Sequence, residues 1–283
     1  MPDTSQYKKF KETIWTKAFE QQLVGSMQSS AFVNRKFDGL AQKGKTVMIT
    51  DIGRPTVTTY TGDDTNFRLD PAVPLADNSL ELKVDQYDTC NVVVGDIDQA
   101  QSSGNINSIV KPAIADSLAI NQDKYIMKLF AGATNKETRA VITTPAQALA
   151  VLEKMLVKLW ENNVRVDENT FFIINPWFYS LIRKELITLK TQNDTLIRQG
   201  WVGEFSRASV LMSNYIHNDG LTTNPSDWIG LLTKNAIALA SGISNVEAYR
   251  PDDAFEDCVK ALSTYGSKIY RQEQIIVAPI AKS

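Results

Sequence analysis

A single histidine, His217, and two cysteines, Cys90 and Cys258, are all that the 283 residues offer for imidazole or thiol chemistry. The usual zinc sites need three or four such ligands close together, so they cannot be assembled from this set. The cysteines form no CxxC and read as free thiols in a reducing compartment, with a disulfide the lesser alternative. His217 stands in SNYIHNDG, the setting of a polar turn residue rather than of a general base. GxSxG, GxxxxGKS/T, HExxH and GxGxxG are all absent. No run approaches the roughly 18 apolar residues of a membrane span. Residues 1–30 lack the apolar core of a signal peptide, which implies folding in a cytoplasm. Excess charge is missing too. Thirty basic residues against 32 acidic ones leave a formal charge of −2, with no global attraction to nucleic acid or an anionic membrane.

Two acid-rich stretches are weighed as candidate sites and set aside. DIDQAQ, from Asp96 to Gln101, lacks the twelve-residue pattern of a calcium loop and reads as a strand end followed by a helix start. Asp252, Asp253, Glu256 and Asp257 read as a solvated turn. An α+β hydrolase or transferase would need a convergent polar cluster, and none is found. No cofactor or metal is expected.

What is present is an order of elements. In residues 1–43 the basic side chains Lys8, Lys9, Lys11, Lys17, Arg35, Lys36 and Lys43 outnumber Asp3, Glu12, Glu20 and Asp38. Phe10, Ile14, Trp15, Phe19 and Leu23 fall on one helical stripe, so the segment reads as a docking arm or as a helix packed on its own domain. KTVMIT (45–50) is a short strand. A long, weakly patterned excursion follows, through RPTVTTY and Gly62, Asp63 and Asp64 to Pro71 and Pro74. A two-stranded ribbon is marginal in water alone, so this one is expected to rest on another chain. Residues 79–95 read as one or two returning strands, and 99–131 as a long helix with a kink at Pro112 or a start shortly before it. From about 140 helices and strands alternate. Thr144-Pro145-Ala146-Gln147 is a capping box, TFFII (170–174) a buried strand, and Asn175-Pro176 the cap of another helix. ASVLMSN, NAIALA (235–240) and a closing strand pair from Lys268 to Pro279 complete the α+β unit.

Several stretches resemble the major capsid proteins of tailed bacteriophages, which have the Hong Kong 97-type fold. GKTVMITDIGRPTVTTYTGDD is similar to that family's approach into its extended E-loop. LELKVDQYDTCNVVVGDIDQAQSS, followed by a helix with Ala115, Leu118 and Asp123, resembles the junction of strand and spine helix. GWVGEFSRASVLMSN resembles a segment of the axial domain, and DCVKALSTYGSKIYRQEQIIV the closing strands. The likeness spans roughly residues 15–280. It implies an α+β chain made of an N-terminal arm (1–43), an E-loop with flanking peripheral strands (44–95), a spine helix (96–139), an axial domain (140–250) and closing strands (251–283).

The resemblance also implies a structural subunit, not an enzyme. Pentamers and hexamers would build an icosahedral shell around double-stranded DNA held without sequence recognition, in a virion assembled in the host cytoplasm. A scaffolding protein and a portal are the implied further partners, and no membrane is involved. Intersubunit contacts are expected at Arg54, Tyr60, Gly62, Asp63, Asp64, Phe67 and Arg68 of the E-loop, and at Lys8, Lys9 and Trp15 of the arm. Loops carrying Trp201, Glu204, Arg207 and His217 are expected at the capsomer axes. An encapsulin-like nanocompartment shell is the alternative reading, and a tail or neck protein a more remote one.

Overall fold

The computed structural model describes residues 23, 27–38, 46–49, 79–95, 106–188, 203–220, 225–252 and 256–282. Three helices and eleven strands carry these residues. The strands are β1 (Thr46–Ile49), β2 (Leu80–Lys83), β3 (Gln86–Gly95), β4 (Ala140–Ile142), β5 (Thr170–Ile174) and β6 (Glu204–Phe205), then β7 (Ala208–Met212), β8 (Ser226–Thr233), β9 (Ile237–Tyr249), β10 (Glu256–Ile269) and β11 (Ile275–Lys282). The helices are α1 (Ile106–Lys128), α2 (Pro145–Glu161) and α3 (Pro176–Thr188).

The largest sheet has the order β4-β11-β8-β5-β7-β6. Its central strands are apolar almost without interruption, as a sheet covered on both faces requires. Phe172, Ile174, Leu231 and Ile276 face the core formed with α2 and α3. Their neighbours Ile173, Leu232, Ile275 and Val277 face a second core, which includes Ile126, Met127 and Phe130 from the end of α1 and the turn after it. Gly230 makes room there, because a Cβ at that position would lie 2.8 Å from the Phe130 ring.

α2 starts where the capping box places it. The Thr144 side chain accepts from the Gln147 backbone N–H, and the Gln147 side chain accepts from the Thr144 N–H. Ala148, Leu152, Met155, Leu156 and Leu159 then form its buried stripe. Asn175 caps α3 by accepting from the Phe178 N–H at 3.3 Å. α1 begins at Ile106, with Pro112 in its second turn, so the helix start falls six residues before the proline.

The second sheet is β3-β10-β9, antiparallel throughout, with α1 against one face. Here two expectations need correction. Lys268 to Pro279 is not a strand pair: β10 ends at Ile269 in this sheet, while β11 joins the six-stranded one. Glu256 and Asp257 belong to β10 rather than to a turn. The ribbon expected to rest on another chain lies in the excursion outside the described residues, while β1 and β2 beside it pair with each other. Val47, Ile49, Leu82 and Val84 bury against Ala238 and Ala240 of this chain's own β9. The last residue of β2 comes so close to β10 that a Cβ on Gly266 would collide with the Lys83 carbonyl.

Candidate intersubunit surfaces

Arg54, Tyr60, Gly62, Asp63, Asp64, Phe67 and Arg68, together with Lys8, Lys9, Trp15 and Trp201, lie outside the described residues. Glu204, Arg207 and His217 are within them, at opposite ends of the strands of the six-stranded sheet.

Glu204 and Arg207 flank the β6–β7 hairpin at the edge of that sheet. Its turn is Ser206-Arg207, with φ of 50° and 70°, so both residues adopt the left-handed conformation of a type I′ turn. Asn-Gly is the usual sequence for such a turn, and the absence of either residue leaves no local signal for it here. The hairpin is anchored by Phe205, whose ring meets Phe172 edge-on at 6.0 Å between centroids. Glu204 and Arg207 themselves are exposed, and they line one open polar cleft with Arg165, Asp167, Glu168 and Asn169.

His217 sits in a connection that is held in place by its backbone. The Trp228 N–H donates to the His217 carbonyl at 3.0 Å, and the Asp219 N–H donates to the Ser226 carbonyl at 3.0 Å. A carboxylate that the sequence reading missed, Asp227, organises this end. It accepts from Asn175 Nδ2 at 2.5 Å, Trp177 Nε1 at 3.0 Å and Asn218 Nδ2 at 2.8 Å. Two neutral donors from the start of α3 and one from the 213–220 connection converge on this β8 carboxylate. These three bonds tie the 213–220 connection to β8 and the start of α3.

A second carboxylate, Asp123 on α1, is 1% exposed and holds residues 28 and 29, within the span expected to form the arm. Its two oxygens accept from the backbone N–H groups of Gln28 at 2.9 Å and Ser29 at 3.0 Å. Burial raises its carboxyl above the ordinary range, against the lowering pull of the hydrogen bonds from Ser29 and Gln28. From there Phe32 and Val33 enter the core, and Asn34 bridges to Ala238.

The cysteines are both free, Cys258 buried and Cys90 half-buried. Among the described residues no group of three or more His, Cys, Asp or Glu gathers as metal ligands would, and no helix is long and apolar enough to cross a membrane.

No family model matches the chain, and no curated protein matches it in sequence. Solved structures do. A Mycobacterium phage Che8 structure superposes with a TM-score of 0.73 at 26% identity, over 87% of this chain and 89% of that one. The chain has the Hong Kong 97-type capsid fold of tailed phages. A capsid structure of the cyanophage P-SCSP1u, at 15% identity, has a TM-score of 0.69 over 89% of this chain and 87% of that one. A virus-like particle from Pyrococcus furiosus shares the fold more loosely, with a TM-score of 0.56 at 11% identity over 93% and 96% of the two chains.

Proposed function

We propose that the chain is the major capsid protein of a tailed bacteriophage, a structural shell subunit and not an enzyme. The observation that carries this reading is the likeness to the Mycobacterium phage Che8 structure, which runs through nearly nine tenths of both chains. The nanocompartment alternative rests on a looser superposition at 11% identity and is the weaker reading.

On this reading residues 1–43 form the arm, 44–95 the E-loop with its flanking strands, 96–139 the spine segment, 140–250 the axial domain and 251–283 the closing strands. Pentamers and hexamers form when the hairpin of Glu204 and Arg207, with the loop around Trp201, lies at the capsomer axes, which puts His217 at the far end of the sheet from them. The polar cleft beside Arg207 supports this, because its mixed charges (Arg165 and Arg207 with Asp167, Glu168 and Glu204) suit many weak contacts between copies. Lys8, Lys9 and Trp15 of the arm and Arg54, Tyr60, Gly62, Asp63, Asp64, Phe67 and Arg68 of the E-loop contact neighbouring subunits. Shells enclose double-stranded DNA through non-specific contacts, with a scaffolding protein and a portal as assembly partners in the host cytoplasm.

Negative-stain electron microscopy of the purified chain, expressed alone and in infected cells, tests the proposal. Closed icosahedral shells, or isolated pentamers and hexamers, are the expected result. A chain that stays monomeric even beside its phage partners would overturn it.

A further inference from the structure

We infer that the cleft at the C-terminal end of α1 binds an acidic peptide segment of a partner protein, with one apolar side chain seated inside it. The cleft lies where the last turn of α1, the turn after it and the end of β10 come together, and its volume is about 420 Å³. Clefts that bind ligands run from roughly 300 to 1,000 Å³, so this one has room for a side chain and its neighbours. Leu129 and Tyr125 are half-buried in its wall, and Ile269 is buried.

Both charged groups in the lining are cations. Lys128 stands in the last turn of α1 and Lys268 near the end of β10, far away along the chain. Lys268 Nζ donates to the Glu81 backbone carbonyl at 3.1 Å, while the Glu81 carboxylate pairs with Lys83 at 3.8 Å. Among the described residues neither Lys128 nor Lys268 has a carboxylate partner. Asp85 is close enough to act on the Tyr125 phenol, but it accepts from Gln86 Nε2 at 2.8 Å and does not line the cleft. Gln272 completes the polar lining. Its Oε1 accepts from the Thr134 N–H at 3.0 Å, which leaves the amide nitrogen as a further donor.

A cation in the last turn of a helix is ordinary, because the helix dipole favours it there. Lys268 is not explained that way. Its convergence with Lys128 and an amide donor, around an apolar wall, selects a ligand that carries carboxylates beside an apolar group. Nucleic acid fits less well. Two cations are few against the many phosphate contacts that hold a duplex, and a sugar-phosphate strand would leave Leu129 and Ile269 without apolar cover. A small inorganic anion would leave the same wall uncovered.

The test is fluorescence anisotropy of free subunits titrated with a labelled pentapeptide, leucine between pairs of glutamates. Binding should saturate, and it should weaken by about tenfold or more in the Lys128→Gln, Lys268→Gln double variant. Serine in place of the leucine should weaken it by about fivefold or more. Both lysines are exposed, so the double variant should melt as the wild type does. Lys154→Gln, which removes an exposed charge from α2, should bind as the wild type. No saturable binding, or equal binding by the double variant, overturns the inference. A serine peptide that binds as tightly shows charge attraction alone and overturns it too. Tripolyphosphate that binds more tightly than the leucine peptide gives the cleft to phosphates, and subunit self-association lost in the double variant gives it to a second copy; either result sinks the peptide assignment. Every outcome is read on free subunits, so it stands apart from whether shells form.

Discussion

At Gly266 the missing side chain is what lets the ribbon root cross the second sheet. A Cβ there would meet the Lys83 carbonyl, a backbone atom that no rotamer change can move aside. Tyr265 beside it meets Tyr125 of α1 edge-on at 5.5 Å and donates its hydroxyl to Asp88, so β10 cannot easily shift in compensation. Gly266→Ala should therefore cost about 1–3 kcal/mol, the usual range for overpacking a close contact. Chemical denaturation of the free subunit measures it, and a variant within about 0.5 kcal/mol of wild type would show that the ribbon root is free to move. The quoted Tyr265-Gly266 pair was visible in the sequence; what the glycine touches was not, because Lys83 is far from it along the chain.

Among the elements, the docking of residues 27–34 on α1 turns on a buried carboxylate that pairs with no cation among the described residues. The Asp123 carboxyl is raised by burial, so the folded state holds its proton to higher pH than the unfolded chain does. Its contribution to stability is fully present below the unfolded value and is lost as pH rises through the raised folded one. Asp123→Asn removes the titration. The margin in melting temperature of wild type over this variant should thus shrink as pH rises from about 4 toward neutrality. Thermal melts at several pH values check this, and a margin that grows with pH would contradict it. Exposed Glu247 behaves in the opposite sense. The hydrogen bond and charge of Lys260 lower its carboxyl, so that contribution is present above the unfolded value and lost as pH falls. Local chemistry made some elements legible in advance: the Thr144 box and the Asn175-Pro176 cap state where α2 and α3 begin. SDWIGLLT gave no such sign, since a strand buried on both faces has no alternation to read.

The whole molecule is tied together by a sheet with a core on each face. The core under α1 takes in Phe32 and Val33, Val259 and Ala261 from β10, and Ile173, Leu232 and Val277 from the six-stranded sheet. Both sheets therefore lose a shared packing surface when either opens. The free subunit should unfold in one transition, with tryptophan fluorescence and circular dichroism coinciding. Two separated transitions would mean that the axial part stands alone. Such rigidity suits a subunit whose work is to present surfaces in fixed relation to one another.

The sequence by itself determined the class of protein and much of its local structure. The order of its elements and stretches such as GWVGEFSRASVLMSN carried the resemblance to tailed-phage major capsid proteins, and solved structures bear out the fold it implied. Those signals are local, because caps, turns and periodicity act within a few residues. Only the tertiary structure decided that β10 and β11 part into different sheets, that Asp123 fastens residues 28 and 29, and that Asp227 gathers donors from both the start of α3 and the 213–220 connection. Strand pairing and the partners of a buried carboxylate depend on residues brought together from far along the chain, and no local pattern encodes which of them will meet.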